Sequence, residues 1–109
     1  MKIVNLTPHT LNLHGDGGVA TVPPSGVVAR VTTSSNQLYT VDMDGVSVAV
    51  KSTKFSELVD LPVAQEGVLY VTSLIVAQAA QRQDVVSPGT LLRGADGQPS
   101  GADGLSAHV

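Results

Sequence analysis

Leu38-Tyr39-Thr40-Val41-Asp42-Met43-Asp44-Gly45-Val46-Ser47-Val48-Ala49-Val50 is the stretch that decides the fold. Val46–Val50 alternates strictly between valine and a small residue, the period of a strand with one buried and one wetter face. Asp44-Gly45 supplies the positive φ angles that a two-residue hairpin turn needs. Leu38–Met43 is therefore expected to fold back on Val46–Val50. The same dipeptide recurs at Asp16-Gly17, Asp96-Gly97 and Asp103-Gly104. Around the first of these, Thr10–His14 would pair with Val19–Val22. The third joins Thr90–Arg93 to a short strand after Gln98. Four such signals in a short chain predict an antiparallel meander.

Composition points the same way. Valine occurs 18 times among 109 residues, and β-branched side chains pack well on pleated surfaces while losing rotamer freedom in helices. Further strands are expected at Lys2–Leu6, Gly26–Thr33 and Val68–Thr72. Pro23-Pro24-Ser25-Gly26 reads as a turn, and Phe55–Pro62 as a connector with one helical turn. Ser73–Gln83 differs from the rest. Leu74, Ile75, Val76, Ala77, Ala79 and Ala80 form a broad apolar arc, with Gln78, Gln81 and Arg82 on one polar face. Ser73 or Thr72 would cap this helix, and Pro88 forbids its continuation. The arc is wide enough to face a core and a second subunit, so a homo-oligomer is expected. The fold class is α+β: a mostly antiparallel sheet or small open barrel with one packed helix near 73–83. A single β-rich domain is expected over 1–93. Residues 94–109, rich in Gly, Asp, Ser and Ala, read as a hairpin with a mobile tail.

Several functions are disfavoured by simple counts. The chain has 6 Lys+Arg against 9 Asp+Glu and no cysteine. That leaves no disulfide framework, thiol nucleophile or cysteine zinc site, and a poor match to a nucleic-acid backbone. No apolar run is long enough for a membrane span, and no signal peptide is visible, so the expected location is the cytoplasm. No cofactor is expected. There is no Gly-x-Ser-x-Gly elbow, HExxH motif or phosphate-binding loop. His9 and His14 lack a firm third ligand for a metal.

Asn5-Leu6-Thr7-Pro8-His9-Thr10 is the most unusual segment. It places an amide, two hydroxyls and an imidazole around a stiffening proline, a cluster able to read a polar ligand or, equally, to satisfy local backbone groups at a strand end. Arg30 is the only charge in the apolar run Val28-Ala29-Arg30-Val31. It points either to solvent or into a groove where it needs an anionic partner. Arg82 beside Asp84 suits a helix C-terminus, an ion pair or an anion contact.

Met1-Lys2-Ile3-Val4-Asn5-Leu6-Thr7-Pro8-His9, with Pro24-Ser25-Gly26, Ala29-Arg30-Val31 and the run from Arg82 through Asp84 to Pro88-Gly89, resembles a small protein family found widely in phages, prophages and actinobacterial genomes. The resemblance covers about residues 1–93. Phe55-Ser56-Glu57 stands where that family has a Tyr-Gly pair before the acid, and Gln83 where an acid is common. The resemblance implies a phage setting, in which small β-rich oligomers act as sponges that hold immune signalling nucleotides away from defence effectors. The expected function is then non-catalytic sequestration of an anionic nucleotide of the ADP-ribose or cyclic type in the host cytoplasm. Asn5, Thr7, His9, Ser25, Arg30, Ser73 and Arg82 would be the ligand-binding residues, with Arg30 on phosphate. The alternative is a structural or protein-interaction module, such as a minor virion component or an inhibitor of a host protein. An enzyme using His9 as general acid or base stands third.

Overall fold

A computed structural model describes all 109 residues. The chain runs β1 (Lys2–Asn5), β2 (Leu11–Gly15), β3 (Gly18–Val22), β4 (Arg30–Met43), β5 (Val46–Val59), β6 (Val68–Val71), α1 (Leu74–Ala80), β7 (Val85–Arg93) and β8 (Pro99–Ala107). Six strands form one sheet in the order β1-β6-β7-β8-β2-β3, while β4 and β5 pair only with each other. The α+β class with one helix is what the sequence predicts, and antiparallel ladders carry most of the pairing. The first three Asp-Gly turns join the expected strands: β2 to β3, β4 to β5 and β7 to β8.

The sheet is not a simple meander. β1 lies parallel to β6, β6 parallel to β7, and β2 parallel to β8. Parallel neighbours need a crossover, and α1 supplies it between β6 and β7. Helix α1 is shorter than its apolar arc predicts. Ser73 occupies the N-cap position in extended conformation without a side-chain cap bond, and Gln81 turns left-handed (φ 51°, ψ 42°) to end the helix. Its Val76 and Ala77 are buried against Leu6, Ala29, Tyr70 and Val85. Val31 and Leu58, at the base of the β4–β5 hairpin, pack on the same cluster. Only 14 residues are buried, so this small core has little redundancy.

Three boundaries differ from expectation. The segment 26–29 is a loop, because Ser25 and Ala29 donate their N–H groups to the Asn5 and Leu6 carbonyls (3.0 and 3.1 Å) instead of to a partner strand. Phe55–Val59 continues β5 without a helical turn. Irregularities at Thr32/Thr33 and Gln37/Tyr39 absorb the offset and keep the two strands paired, and Asp60 (φ 59°) ends the strand. The 94–109 segment is no loose tail. β8 lies inside the sheet between β7 and β2, since backbone pairing requires no bulky side chain.

Glycine makes that insertion possible. A Cβ at Gly89 would overlap the Asp103 carbonyl, and one at Gly101 (φ 142°) would overlap the Asn12 carbonyl. Gly89→Ala is expected to cost about 1–3 kcal/mol through overpacking, seen as a lower denaturation midpoint. Gly15→Ala, which meets nothing within 4 Å, should stay within about 0.5 kcal/mol of wild type.

Candidate functional site

Between β1 and β2 the chain bends sharply through Leu6–Thr10, and one amide organises the bend. Asn5 is 1% exposed. Its Oδ1 accepts the Thr7 backbone N–H (2.9 Å) and the Thr7 hydroxyl (2.7 Å). Its Nδ2 donates to the His9 carbonyl (2.7 Å) and the Val22 carbonyl (3.1 Å). Two acceptor sites and two donors are the full capacity of an asparagine side chain. The bond to Val22 also ties the end of edge strand β1 to the end of the opposite edge strand β3, leaving the sheet nearly closed. Asn5 and the buried Thr7 are thus consumed by the fold, the local reading that the sequence left open.

The bend delivers His9, exposed, to the edge of a cleft of about 550 Å³. The β2–β8 ladder is short, pairing Leu13 with Ala102 and His14 with Asp103. Where it stops, the residues before Leu13 and before Ala102 line the cleft walls. Leu11 and Asn12 stand on one side, Ser100 and Gly101 on another, and Pro88 and Leu91 of β7 complete the wall. His14 Nε2 lies 3.2 Å from the Ser100 carbonyl and braces the two strands behind the opening. His9 is the one titratable side chain on the lining.

The other expected ligand residues lie elsewhere. Ser25 is exposed and its hydroxyl accepts the Val27 N–H at 3.3 Å, closing its own turn. Ser73 is exposed at the helix N-cap. Arg30 is exposed at the start of β4, its backbone opposite Val59, and does not line the cleft. Arg82 donates through Nε (2.9 Å) and Nη2 (2.6 Å) to the two Asp84 carboxylate oxygens and through Nη1 (3.0 Å) to the Pro62 carbonyl. This clip pins the α1–β7 turn to the segment before β6. Of the seven residues, only His9 reaches the cleft.

One pairing was invisible in the sequence. Ser87, 1% exposed, places its hydroxyl 2.8 Å from His108 Nε2. The two residues are 21 apart, and His108 lies in the stretch expected to be mobile. A serine beside an imidazole suggests nucleophilic chemistry, but this hydroxyl is sealed from solvent and the contact pins the chain after β8. No three His, Asp or Glu side chains converge on a point. No helix is long and apolar enough to cross a membrane. Comparison with family models, curated proteins and solved structures finds no match to the chain.

Two outcomes test this anatomy. Asn5→Ala strands the Thr7 N–H and the Val22 carbonyl at a buried position, so it should cost about 3 kcal/mol or more and lower Tm accordingly. Its bidentate bond to Arg82 holds the Asp84 carboxyl below its ordinary value of 3.8, and the same bond raises Arg82. A depressed carboxylate contributes stability above its ordinary value and loses it as pH falls through the folded-state value. Asp84→Asn should therefore lower Tm modestly at pH 7, the pair being partly exposed, and the gap should close in strong acid.

Proposed function

We propose that the chain is a non-catalytic binding protein that sequesters a small nucleotide-like molecule, with the cleft beside His9 as the seat of the ligand. The cleft itself carries this reading. Its volume of about 550 Å³ falls in the range of small-molecule sites, which are mostly apolar with a few polar groups fixing orientation. Leu11, Pro88 and Leu91 offer flat apolar contact to a base or ring. His9, Asn12 and Ser100 offer hydrogen bonds to sugar or phosphate. The resemblance of the N-terminal segment to small phage proteins supports an anti-defence role in the host cell, with an ADP-ribose-type or cyclic nucleotide as the signal withheld. Arg30 lies outside the cleft of its own chain, so a phosphate contact from Arg30 belongs to a site completed by another copy.

Thermal-shift titration with nucleotides of these two types tests the proposal. Stabilisation should appear with at least one of them, the ligand should be recovered chemically unchanged after denaturation, and His9→Ala should remove the shift without lowering the ligand-free Tm. Arg30→Ala separates the two forms of the site: a shared site loses the shift, and a single-chain site keeps it. Absence of any shift, together with no co-purified small molecule in native mass spectrometry, would sink the proposal. A protein-interaction module is the second reading. It is favoured by the β4–β5 hairpin, whose apolar side chains are displayed well away from the cleft.

A further inference from the structure

The bend after β1 treats the two parts of His9 differently. Its backbone is anchored: the N–H donates to the Thr7 hydroxyl (3.4 Å), and the carbonyl accepts from Asn5 Nδ2 (2.7 Å). Its imidazole is exposed on the cleft, and every hydrogen bond at His9 belongs to the backbone. A fixed main chain carrying an unengaged ring is the arrangement of a group held ready for a ligand.

No other charge reaches the lining. Lys2 stands at the far end of β1 from the bend, and β3 has no titratable residue. His14 of β2, Arg93 of β7 and Asp103 of β8 all lie outside the cleft. Arg93 Nη1 is spent on the Gly97 carbonyl (3.0 Å), and Asp103 sits opposite His14 where the β2–β8 ladder is closed. His14 Nε2 faces the Ser100 carbonyl (3.2 Å). A ring nitrogen facing a carbonyl is a donor in the neutral and the charged imidazole alike, so this brace holds across the pH range.

The charge on the cleft is therefore zero or one, and His9 decides which. We propose that the cleft takes a ligand with a flat neutral body and a single anionic group, of the cyclic mononucleotide class, and that it takes up a proton on His9 as it binds. This rests on the cleft being the seat of the ligand. The base lies against Leu11, Pro88 and Leu91, and the phosphodiester oxygen accepts from the imidazolium. Histidine is the side chain whose charge changes between about pH 5 and 8, and a hydrogen bond between two charged groups is about twice as strong as a neutral one. A second phosphate, as in ADP-ribose, would meet a neutral lining with no counter-charge, which disfavours it.

Isothermal titration calorimetry with cyclic AMP, adenosine and ADP-ribose at about pH 5.5 and pH 8, the two sides of the histidine range, tests this. A cyclic phosphodiester has no second ionisation, unlike a phosphate monoester with its step near pH 6, so any pH trend belongs to the protein. Cyclic AMP should bind about tenfold tighter at the lower pH, with net proton uptake when buffers of different ionisation enthalpy are compared. Adenosine should show no trend, whereas one arising from His14 would appear with adenosine too. ADP-ribose should be the weaker nucleotide at both pH values. His9→Gln, which keeps a polar side chain without the charge, should flatten the cyclic AMP profile. Binding of cyclic AMP with no pH trend, a trend that survives His9→Gln or is shared by adenosine, or tighter binding of ADP-ribose overturns the inference and leaves the cleft as a ligand site. No binding by any of the three at either pH overturns both.

Discussion

Everything in the body of this protein hangs on one amide. Asn5 sits where the first strand ends, and its four hydrogen bonds reach the bend that follows it and the far edge of the sheet. Proline at position 8 brings no N–H of its own, so the bend has few backbone donors with which to organise itself. A side-chain amide replaces them, and it does so buried, where a polar group must have every partner in place. The consequence is geometric. A sheet of six strands with β1 and β3 at its edges is held nearly shut, and His9 is held at the rim of the one sizeable cleft. Substituting aspartate would keep the acceptor side and lose the donors, so the constraint is specific to an amide.

How far the fold could be read from residues follows from the range of the forces involved. Asp44-Gly45 and the valine alternation beside it are local, and the turn and its two strands form where local chemistry places them. The apolar arc at 74–80 likewise announces a helix, with Ser73 at its cap. What the sequence does not display is pairing between distant segments. Lys2–Asn5 lies beside Val68–Val71, and nothing in either segment names the other. Pro99–Ala107 is poor in apolar side chains, and hydrophobic periodicity has no way to mark it as a strand. Its place is set by two missing Cβ atoms, at Gly89 and Gly101, that only the folded backbone reveals as close approaches.

The functional residues divide along the same line. The Asn5–His9 cluster was visible as an unusual grouping, yet its chemistry could be spent inward or outward. Asn5 and Thr7 turn inward and His9 outward. Arg30 and Arg82 were conspicuous because the chain has so few cations. One is exposed at the root of the β4–β5 hairpin, and the other is engaged by Asp84 and the Pro62 carbonyl. The cleft, in contrast, is made largely of backbone, proline and leucine where a ladder runs out after two residue pairs. Such a site has no sequence signature, because it is defined by pairing that stops.

The position of β8 bears on how the chain reaches this state. Its nine residues lie between β7 and β2, so β2 and β3 have no neighbour joining them to the rest of the sheet until β8 is available. On a ribosome the hairpins and the β6–α1–β7 crossover can form as they emerge, but the nearly closed sheet cannot. The strand that unites the two halves follows the other seven in chain order. Folding of the body is therefore completed only after residue 107 has left the exit tunnel, and a chain released earlier would expose two unpaired strand edges, at β7 and β2, open to pairing with another nascent chain.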